Sequence, residues 1–308
     1  MKSVIINCDP GIDDSLAIML AIKSKRLDIV GITTTFGNTS VTRTTDNALA
    51  LLNYLGVDIP VSEGTTRPAG GKRVNAEYVH GKNGFANIVL PHKSLPVHEN
   101  AEDFIINNLE SGRVDTIINT APLTNIINAF KKNPDVMRKL KKLIIMGGSI
   151  LEPGSITRCA EFNFFSDPYA AEAVLHTDIN KVLITRDVTQ QVLLRPADLS
   201  RFGESKAAKL AVRLIKYYQK FYINVFGLKG NPLPDPLAVG FAINNNFVET
   251  KKMNVVVETG GVYTRGMSIA ERRSGVYRKE EKPNAEVSVS VKAEEFIKYF
   301  IDTISEPD

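Results

Sequence analysis

Short runs of apolar, mostly β-branched residues recur along the chain, and most are followed by a longer stretch with helical periodicity. Ser3–Asn7, Ile29–Thr35, Thr116–Asn119, Leu143–Met146 and Val182–Thr185 read as buried strands. Asp13–Ser24, Val41–Leu55, Leu123–Phe130, Pro168–Leu175 and Ala207–Phe226 read as helices. Strands without a polar face, separated by helices, can bury themselves only in a mainly parallel sheet covered on both sides. The expectation is therefore an α/β fold: one domain over residues 1–308, with a Rossmann-like core of mostly parallel mixed β-sheet flanked by helices. β-like alternation at Asn254–Glu258 and Glu286–Val291 predicts an edge or a small subsheet. Ligands in such sheets bind beyond the carboxyl ends of the strands, so the residues just after each strand matter most. Two Gly-containing stretches, Glu63–Leu90 and Gly147–Phe165, read as long loops, a length that usually signals binding loops or lids.

Composition removes several function classes. The net charge of +4 is too small for a nucleic-acid footprint. The one basic run, from Lys131 through Arg138 to Lys142, reads as a solvated helix face. No segment reaches the roughly 18 apolar residues of a membrane span. Only Val4-Ile5-Ile6 precedes the first polar residues, too little for the apolar region of a signal peptide. Cys8 and Cys159 form no disulfide framework. Together these features predict a cytoplasmic protein without membrane or nucleic-acid partners. Cys8 reads as a small buried apolar residue and Cys159 as a possible pocket neighbour. His92, His98 and His176 lack metal-ligand spacing and read as surface or packing residues.

The chemistry concentrates where the first strand ends. Asp9-Pro10-Gly11-Ile12-Asp13-Asp14 places three carboxylates within six residues at a strand-to-helix turn. Acids at a helix start cap free N–H groups and suit the helix dipole, which accounts for one or two of them. A third crowds like charges, a situation that a bound cation resolves, and hard oxygen ligands favour Ca²⁺ or Mg²⁺ over zinc. Both readings stand on this segment alone. Asp235, between Pro234 and Pro236 at the start of an apolar helix, is either an N-cap or another cation ligand. Thr124, after the Thr116–Asn119 strand, is likewise either a local cap or an oxygen donor.

Read together, these segments resemble the inosine–uridine nucleoside hydrolase family. The hexapeptide from Asp9 to Asp14 matches that family's N-terminal motif. Gly37-Asn38, Val79-His80-Gly81, Pro122-Leu123-Thr124-Asn125, Met146-Gly147-Gly148, Glu161-Phe162-Asn163, Asp235-Pro236-Leu237-Ala238 and Thr264-Arg265-Gly266 follow in order over almost the whole chain. The resemblance implies hydrolysis of the bond between ribose and base, with one Ca²⁺ per subunit. It assigns the metal to Asp9, Asp14, Asp235 and the backbone oxygen of Thr124, and makes Asp9 the general base for metal-activated water. It assigns Asp13, Asn38 and Asn163 to the ribose diol, Glu161 and the position of Ser155 to the 5′-hydroxyl, and Met146 and His80 to the substrate. It implies a small ribonucleoside as partner, a role in nucleoside salvage, and a homodimer or homotetramer. The chemistry is consistent with these residue types. Cleavage develops oxocarbenium character at C1′, which carboxylates stabilise, while a cation and a neighbouring carboxylate activate water.

The chain departs from the family pattern at three points. Pro234 stands where many members carry a histidine able to protonate the leaving base, so His80 becomes the remaining candidate acid. Ser155 stands where the family usually has Asn. No Trp is present to stack a purine. Phe162, Tyr218, Phe221, Tyr222 and Phe226 are substitutes, although aromatics at helical spacing are more often core. These departures keep two alternatives open: a hydrolase of another N-riboside, such as a nicotinamide or modified nucleoside, or a nucleoside-binding protein without catalysis.

Overall fold

The computed structural model describes residues 1–92, 96, 99–273 and 282–307. Its strands are β1 (Lys2–Cys8), β2 (Leu27–Thr34), β3 (Val61–Glu63), β4 (Thr116–Asn119), β5 (Lys142–Met146), β6 (Lys181–Ile184), β7 (Leu193–Leu194), β8 (Asn231–Pro232), β9 (Val248–Met253), β10 (Val255–Val257), β11 (Ser268–Ala270) and β12 (Ala285–Val291). Eight form one sheet in the order β3-β2-β1-β4-β5-β6-β12-β9. Every neighbouring pair in it is parallel except β12 and β9, so β9 is an antiparallel edge. The α/β expectation holds. β10 and β11 form the small subsheet, while β12 joins the main sheet.

The alternation of side chains along β1 shows why both faces must be covered. Val4, Ile6 and Cys8 enter one apolar core and Ile5 enters the other. The first core packs the sheet against helices Ile12–Ser24, Val41–Leu55, Lys206–Phe226, Pro234–Ile243 and Ala293–Ser305. The second packs it against helices Ala101–Glu110, Thr124–Lys132 and Pro168–Leu175. Helix ends follow local chemistry. The Ser40 hydroxyl accepts the Arg43 N–H ahead of Val41–Leu55, and Gly56, at φ 71°, closes that helix. Pro234–Ile243 is apolar nearly all round, and Pro234 through Ala242 are buried, as an interior helix requires. Among the described residues no helix is long and apolar enough to cross a membrane.

Two local expectations change. Glu63–Leu90 is not wholly loop: Glu77–His80 forms a short helix that ends on His80, and Phe162–Ser166 closes the second long loop. Nor is the basic run one helix face. Lys131 and Lys132 end one helix, Arg138 follows the four-residue helix Pro134–Met137, and Lys142 opens β5. Asn133 and Pro134 break the helical continuity that the charge pattern suggested. The charges instead pair locally, Lys132 with Asp103 at 2.6 Å, Arg138 with Asp178 at 2.8 Å and Lys141 with Asp115 at 3.0 Å. His98 lies outside the described residues.

The strand order fixes where a ligand can enter. Connections run one way from β1 through β2 to β3 and the other way from β4 through β5 to β6. The carboxyl ends of β1 and β4 therefore flank a topological switch point, where diverging connections leave a crevice.

Candidate active site

Asp9 follows β1 directly and Thr120 follows β4, so the two lips of the crevice carry a carboxylate and a hydroxyl. Pro10-Gly11 turns the chain into the Ile12–Ser24 helix, and Gly11 has a spatial reason to lack a side chain. A Cβ there would meet Asn38 Nδ2 at 2.5 Å and His80 Nδ1 at 2.8 Å. Asp14 caps the helix: its Oδ2 accepts the Gly11 N–H at 3.1 Å, and its Oδ1 accepts the Thr120 hydroxyl at 2.7 Å. Asn38 ties the first two acids together. Its N–H donates to Asp9 Oδ2 at 2.6 Å, and its amide donates to Asp14 Oδ2 and to the Asp9 carbonyl, both at 3.0 Å. With both amide hydrogens engaged, what Asn38 offers a ligand is its Oδ1.

Asp13 points differently. Its Oδ2 accepts the Tyr218 hydroxyl at 2.8 Å, which joins the crevice to the Lys206–Phe226 helix. Asp235 sits in the first turn of the interior Pro234–Ile243 helix. Asp13, Asp14 and Asp235 each bring a carboxylate oxygen within 4.8 Å of the others. Asp9 completes a group of four buried acids. Burial, reinforced by the other carboxylates, drives Asp9 and Asp235 far above the ordinary range, and burial with Asp13 raises Asp14 to about 7. One atom shows what the cluster lacks. Asp9 Oδ1 is buried without a hydrogen-bond partner. A buried carboxylate oxygen in that state is costly unless a cation or a donor meets it. The donor set is all oxygen, so a hard divalent cation fits these residues.

The opposite wall is built from the ends of β5 and β6 and the loop after β5. Met146, the last residue of β5, lines the cleft. Glu161 caps the Phe162–Ser166 helix, accepting the N–H groups of Asn163 at 2.9 Å, Gly148 at 3.0 Å and Phe164 at 3.2 Å. Burial pushes its pKa up against those three bonds. Asn163 donates its amide to the carbonyls of Thr120 at 2.9 Å and Met146 at 3.1 Å, so it too presents a carbonyl oxygen. Ser155 lines the cleft while its hydroxyl accepts the Phe162 N–H at 3.0 Å. The cleft takes in about 760 Å³ of space between atoms, with open solvent at its mouth included.

Nine of the eleven residues singled out from sequence line this one cleft: Asp9, Asp13, Asn38, His80, Met146, Ser155, Glu161, Asn163 and Asp235. Asp14 lies behind them within the acid cluster. Thr124 stands apart from the cleft wall, and its hydroxyl donates to buried Asp167 at 2.7 Å. His80 takes a definite tautomer. Its Nδ1 accepts the Ile12 N–H at 3.1 Å, so the ring hydrogen is on Nε2, and burial lowers its pKa. That makes the ring a neutral hydrogen-bond donor rather than a ready source of a proton.

Some of the lining was not singled out in advance. Arg186, Thr189, Thr120, Tyr78 and Ile156 share the wall, and the aromatics of the Lys206–Phe226 helix lie on it rather than only in the core. Tyr218 is both: it is 1% exposed, yet its hydroxyl reaches Asp13 and lies 3.3 Å from that of Tyr222. A signal existed for two of these residues. Thr120 is the first residue after β4 and Arg186 the second after β6, positions that the carboxyl-end rule marks.

The model of the inosine-uridine preferring nucleoside hydrolases matches residues 4–298. A pyrimidine-specific ribonucleoside hydrolase, RihA of Salmonella typhimurium, is 33% identical over 300 residues, which are 96% of this chain and 95% of that protein. A probable uridine nucleosidase 1 of Oryza sativa is 35% identical over 268 residues, covering 85% of this chain and 82% of the relative. Among solved structures, the plant nucleoside hydrolase PpNRh1 superposes with a TM-score of 0.93 at 29% identity, over 99% of both chains. A purine-preferring ribonucleoside hydrolase from Gardnerella vaginalis superposes with a TM-score of 0.91 at 30% identity, over 99% of this chain and 98% of the other.

Proposed function

We propose, from the premise that this chain belongs to the inosine-uridine preferring nucleoside hydrolase family and is a ribonucleoside N-glycosidase, that its reaction is Ca²⁺-dependent, with Asp9 as general base. The unpartnered Oδ1 of Asp9 carries this reading. Among the described residues it is an oxygen wholly closed off from solvent with no hydrogen-bond partner, beside carboxylates whose crowding a divalent cation relieves. Asp9, Asp14 and Asp235 would hold the ion, with Thr124 contributing through its backbone and Asp13 close enough to join. A bound cation would supply positive charge and lower the pKa of a water it holds.

The remaining work falls to the protein's own groups. Asp9 takes the proton of the attacking water, which approaches C1′ from the face opposite the base. The buried carboxylates stabilise the positive charge that develops on the sugar ring. Asn38 and Asn163, whose amide hydrogens are bound internally, accept hydrogen bonds from ribose hydroxyls through their carbonyl oxygens. Glu161 and Ser155 hold the 5′ end, and Met146 packs against the sugar. A site of this kind rejects deoxyribose, because an acceptor that loses its hydroxyl is left buried and unpaired. The names of the pyrimidine-specific and uridine-cleaving relatives make uridine the first substrate to try.

The test measures free base and ribose from uridine, cytidine, inosine, adenosine and guanosine, alongside metal analysis of the purified protein. Turnover of at least one nucleoside, a fall of about 10³-fold or more in Asp9→Ala, and loss of activity on strong chelation with recovery on added Ca²⁺ are expected. Binding without turnover would replace this reading with that of a nucleoside-binding protein. Activity indifferent to chelation would remove the cation from it.

A further inference from the structure

Hydrolysis has a second half, departure of the base, and the residues usually invoked for it are not equipped here. Pro234 carries no proton, and His80 accepts the Ile12 N–H at Nδ1. Tyr218 donates its hydroxyl to Asp13. One group on the cleft wall carries a positive charge that no carboxylate engages directly. Arg186 is held by its Nε on the Pro153 carbonyl at 2.9 Å and by its Nη2 on Gln190 Oε1 at 2.7 Å. Both anchors are neutral, so they fix the guanidinium plane without cancelling its charge, and Nη1 stays available for a ligand. Arg186 lines the same cleft as Thr189, Pro234 and Tyr222, and its backbone N–H donates to the Gly148 carbonyl at 2.9 Å. Its charge favours the ionised form of both Tyr222 and Glu161.

Building on the ribonucleoside-hydrolase reading, we propose that Arg186 stabilises the departing base as an anion. The C1′–N bond breaks with its electron pair going to the base nitrogen, while the water oxygen bonds to C1′ and Asp9 takes the water's proton. The base anion leaves hydrogen-bonded to the guanidinium and afterwards collects that proton. No acid is needed at the moment of cleavage. A fixed guanidinium suits this role because it stays charged at all working pH values and offers directed donors.

The mechanism also selects a substrate class. Bases whose glycosidic nitrogen neighbours a carbonyl, as in uracil, spread the anion onto an oxygen that arginine can bind. Adenine, which leaves best when a ring nitrogen is protonated, finds no donor for that proton. A second reading, that Arg186 binds an anionic 5′ substituent, is disfavoured because Glu161 faces the same space and three backbone N–H groups support its ionised form.

The experiment compares uridine with 4-nitrophenyl β-D-ribofuranoside, whose nitrophenolate departs without assistance. Arg186→Gln should lower kcat/KM for uridine about 100-fold, Arg186→Lys should recover part of that loss, and the nitrophenyl riboside should change by less than about threefold. Across 5-substituted uridines the variant should depend more steeply on base acidity than the parent. Equal losses on both substrates would mean that Arg186 serves the sugar or the fold, and no loss on either would make it a bystander. Either result overturns the proposal. Failure of the unaltered protein to cleave any riboside would instead strike the reaction itself.

Discussion

Asp235→Asn should stabilise the cation-free protein while ending its catalysis, and the size of the gain follows from the cluster. Asp235 has carboxylate neighbours, Asp13 and Asp14, with oxygens within 4.8 Å. Two unit charges at that separation repel by about 3.5 kcal/mol at an effective dielectric of 20, so two neighbours impose about 7 kcal/mol. Protonation caps this cost. A proton held at pH 8 on a group whose ordinary value is 3.8 costs at most about 6 kcal/mol, at 1.36 kcal/mol per pH unit. The new amide needs acceptors, and burying it returns about 1–3 kcal/mol of the gain. A net stabilisation of up to about 3 kcal/mol remains, which for a chain of this length raises Tm by up to about 5 °C.

The pH dependence follows in sign. The pKa of Asp235 is raised on folding, so the parent binds its proton more tightly when folded and loses stability as pH climbs above the unfolded value. The advantage of the variant is therefore near zero at pH 4 and larger at pH 8. Calorimetry of chelator-treated protein at both pH values measures it. A saturating cation should raise the Tm of the parent and leave the variant nearly unchanged. A variant that melts at or below the parent at pH 8 without cation would show that the carboxylates are not in mutual repulsion, and the argument for a cation would fall with it.

Three further outcomes can be checked. Gly37 lies at φ 155°, and a Cβ there would collide with the Asp9 carboxylate. Gly37→Ala should therefore displace Asp9 and lower kcat about 100-fold, the usual cost of misplacing a reacting group by about an ångström, with a smaller fall in Tm. Tyr218→Phe removes a hydroxyl that donates to Asp13. A bond to a charged group is worth about 1.5–3 kcal/mol, so kcat/KM should drop at least tenfold, and a drop below twofold would make the contact incidental. Because Asp14 is raised to about 7 and must ionise to ligate, the Tm increment from Ca²⁺ should be larger at pH 8 than at pH 5.5. An increment independent of pH would place the ion elsewhere.

The sheet was legible because buried parallel strands leave a plain sequence record: the apolar runs at β1, β2, β4, β5 and β6 lack polar alternation, and helical periodicity fills the gaps. The short elements escaped. Glu77–His80 has four residues, fewer than periodicity needs, and is recognisable only once its place over the Ile12–Ser24 helix start is known. The acids were legible because three charges at one strand end violate the ordinary logic of a buried turn. The aromatic wall was not. Tyr218 and Tyr222 have the spacing of core residues, and Tyr218 is in fact buried. Periodicity reports that a side chain faces inward and says nothing about whether a cavity lies there. Arg186 was missed although it stands two residues after β6, because the carboxyl-end rule marks a position and not the direction its side chain takes.

The two halves of the proposed reaction rest on supports of different stiffness. Beneath the acid cluster, Asn7 at the end of β1 donates to Asn119 at 2.6 Å and accepts from Thr33 at 2.8 Å and from Asn125 at 2.9 Å. All four residues are fully buried. This network joins β1, β2, β4 and the helix after β4, and a change in any member leaves a polar group unpaired, a penalty of about 1–3 kcal/mol. The water-activating side is therefore costly to alter. The leaving-group side has weaker constraints. Phe226 ends a helix and is 43% exposed, Tyr78 is 57% exposed, and Arg186 is anchored through two neutral contacts. Under the proposed mechanism, substitutions there should change which base can depart while leaving the acids in place. Pro234 is the point of contact between the halves, one residue from Asp235 in the first turn of a buried helix. Proline suits that position sterically, since the first helical turn needs no N–H donor. A proton donor given up at Pro234 thus costs the fold nothing, provided that a charge elsewhere on the wall, which we assign to Arg186, receives the base.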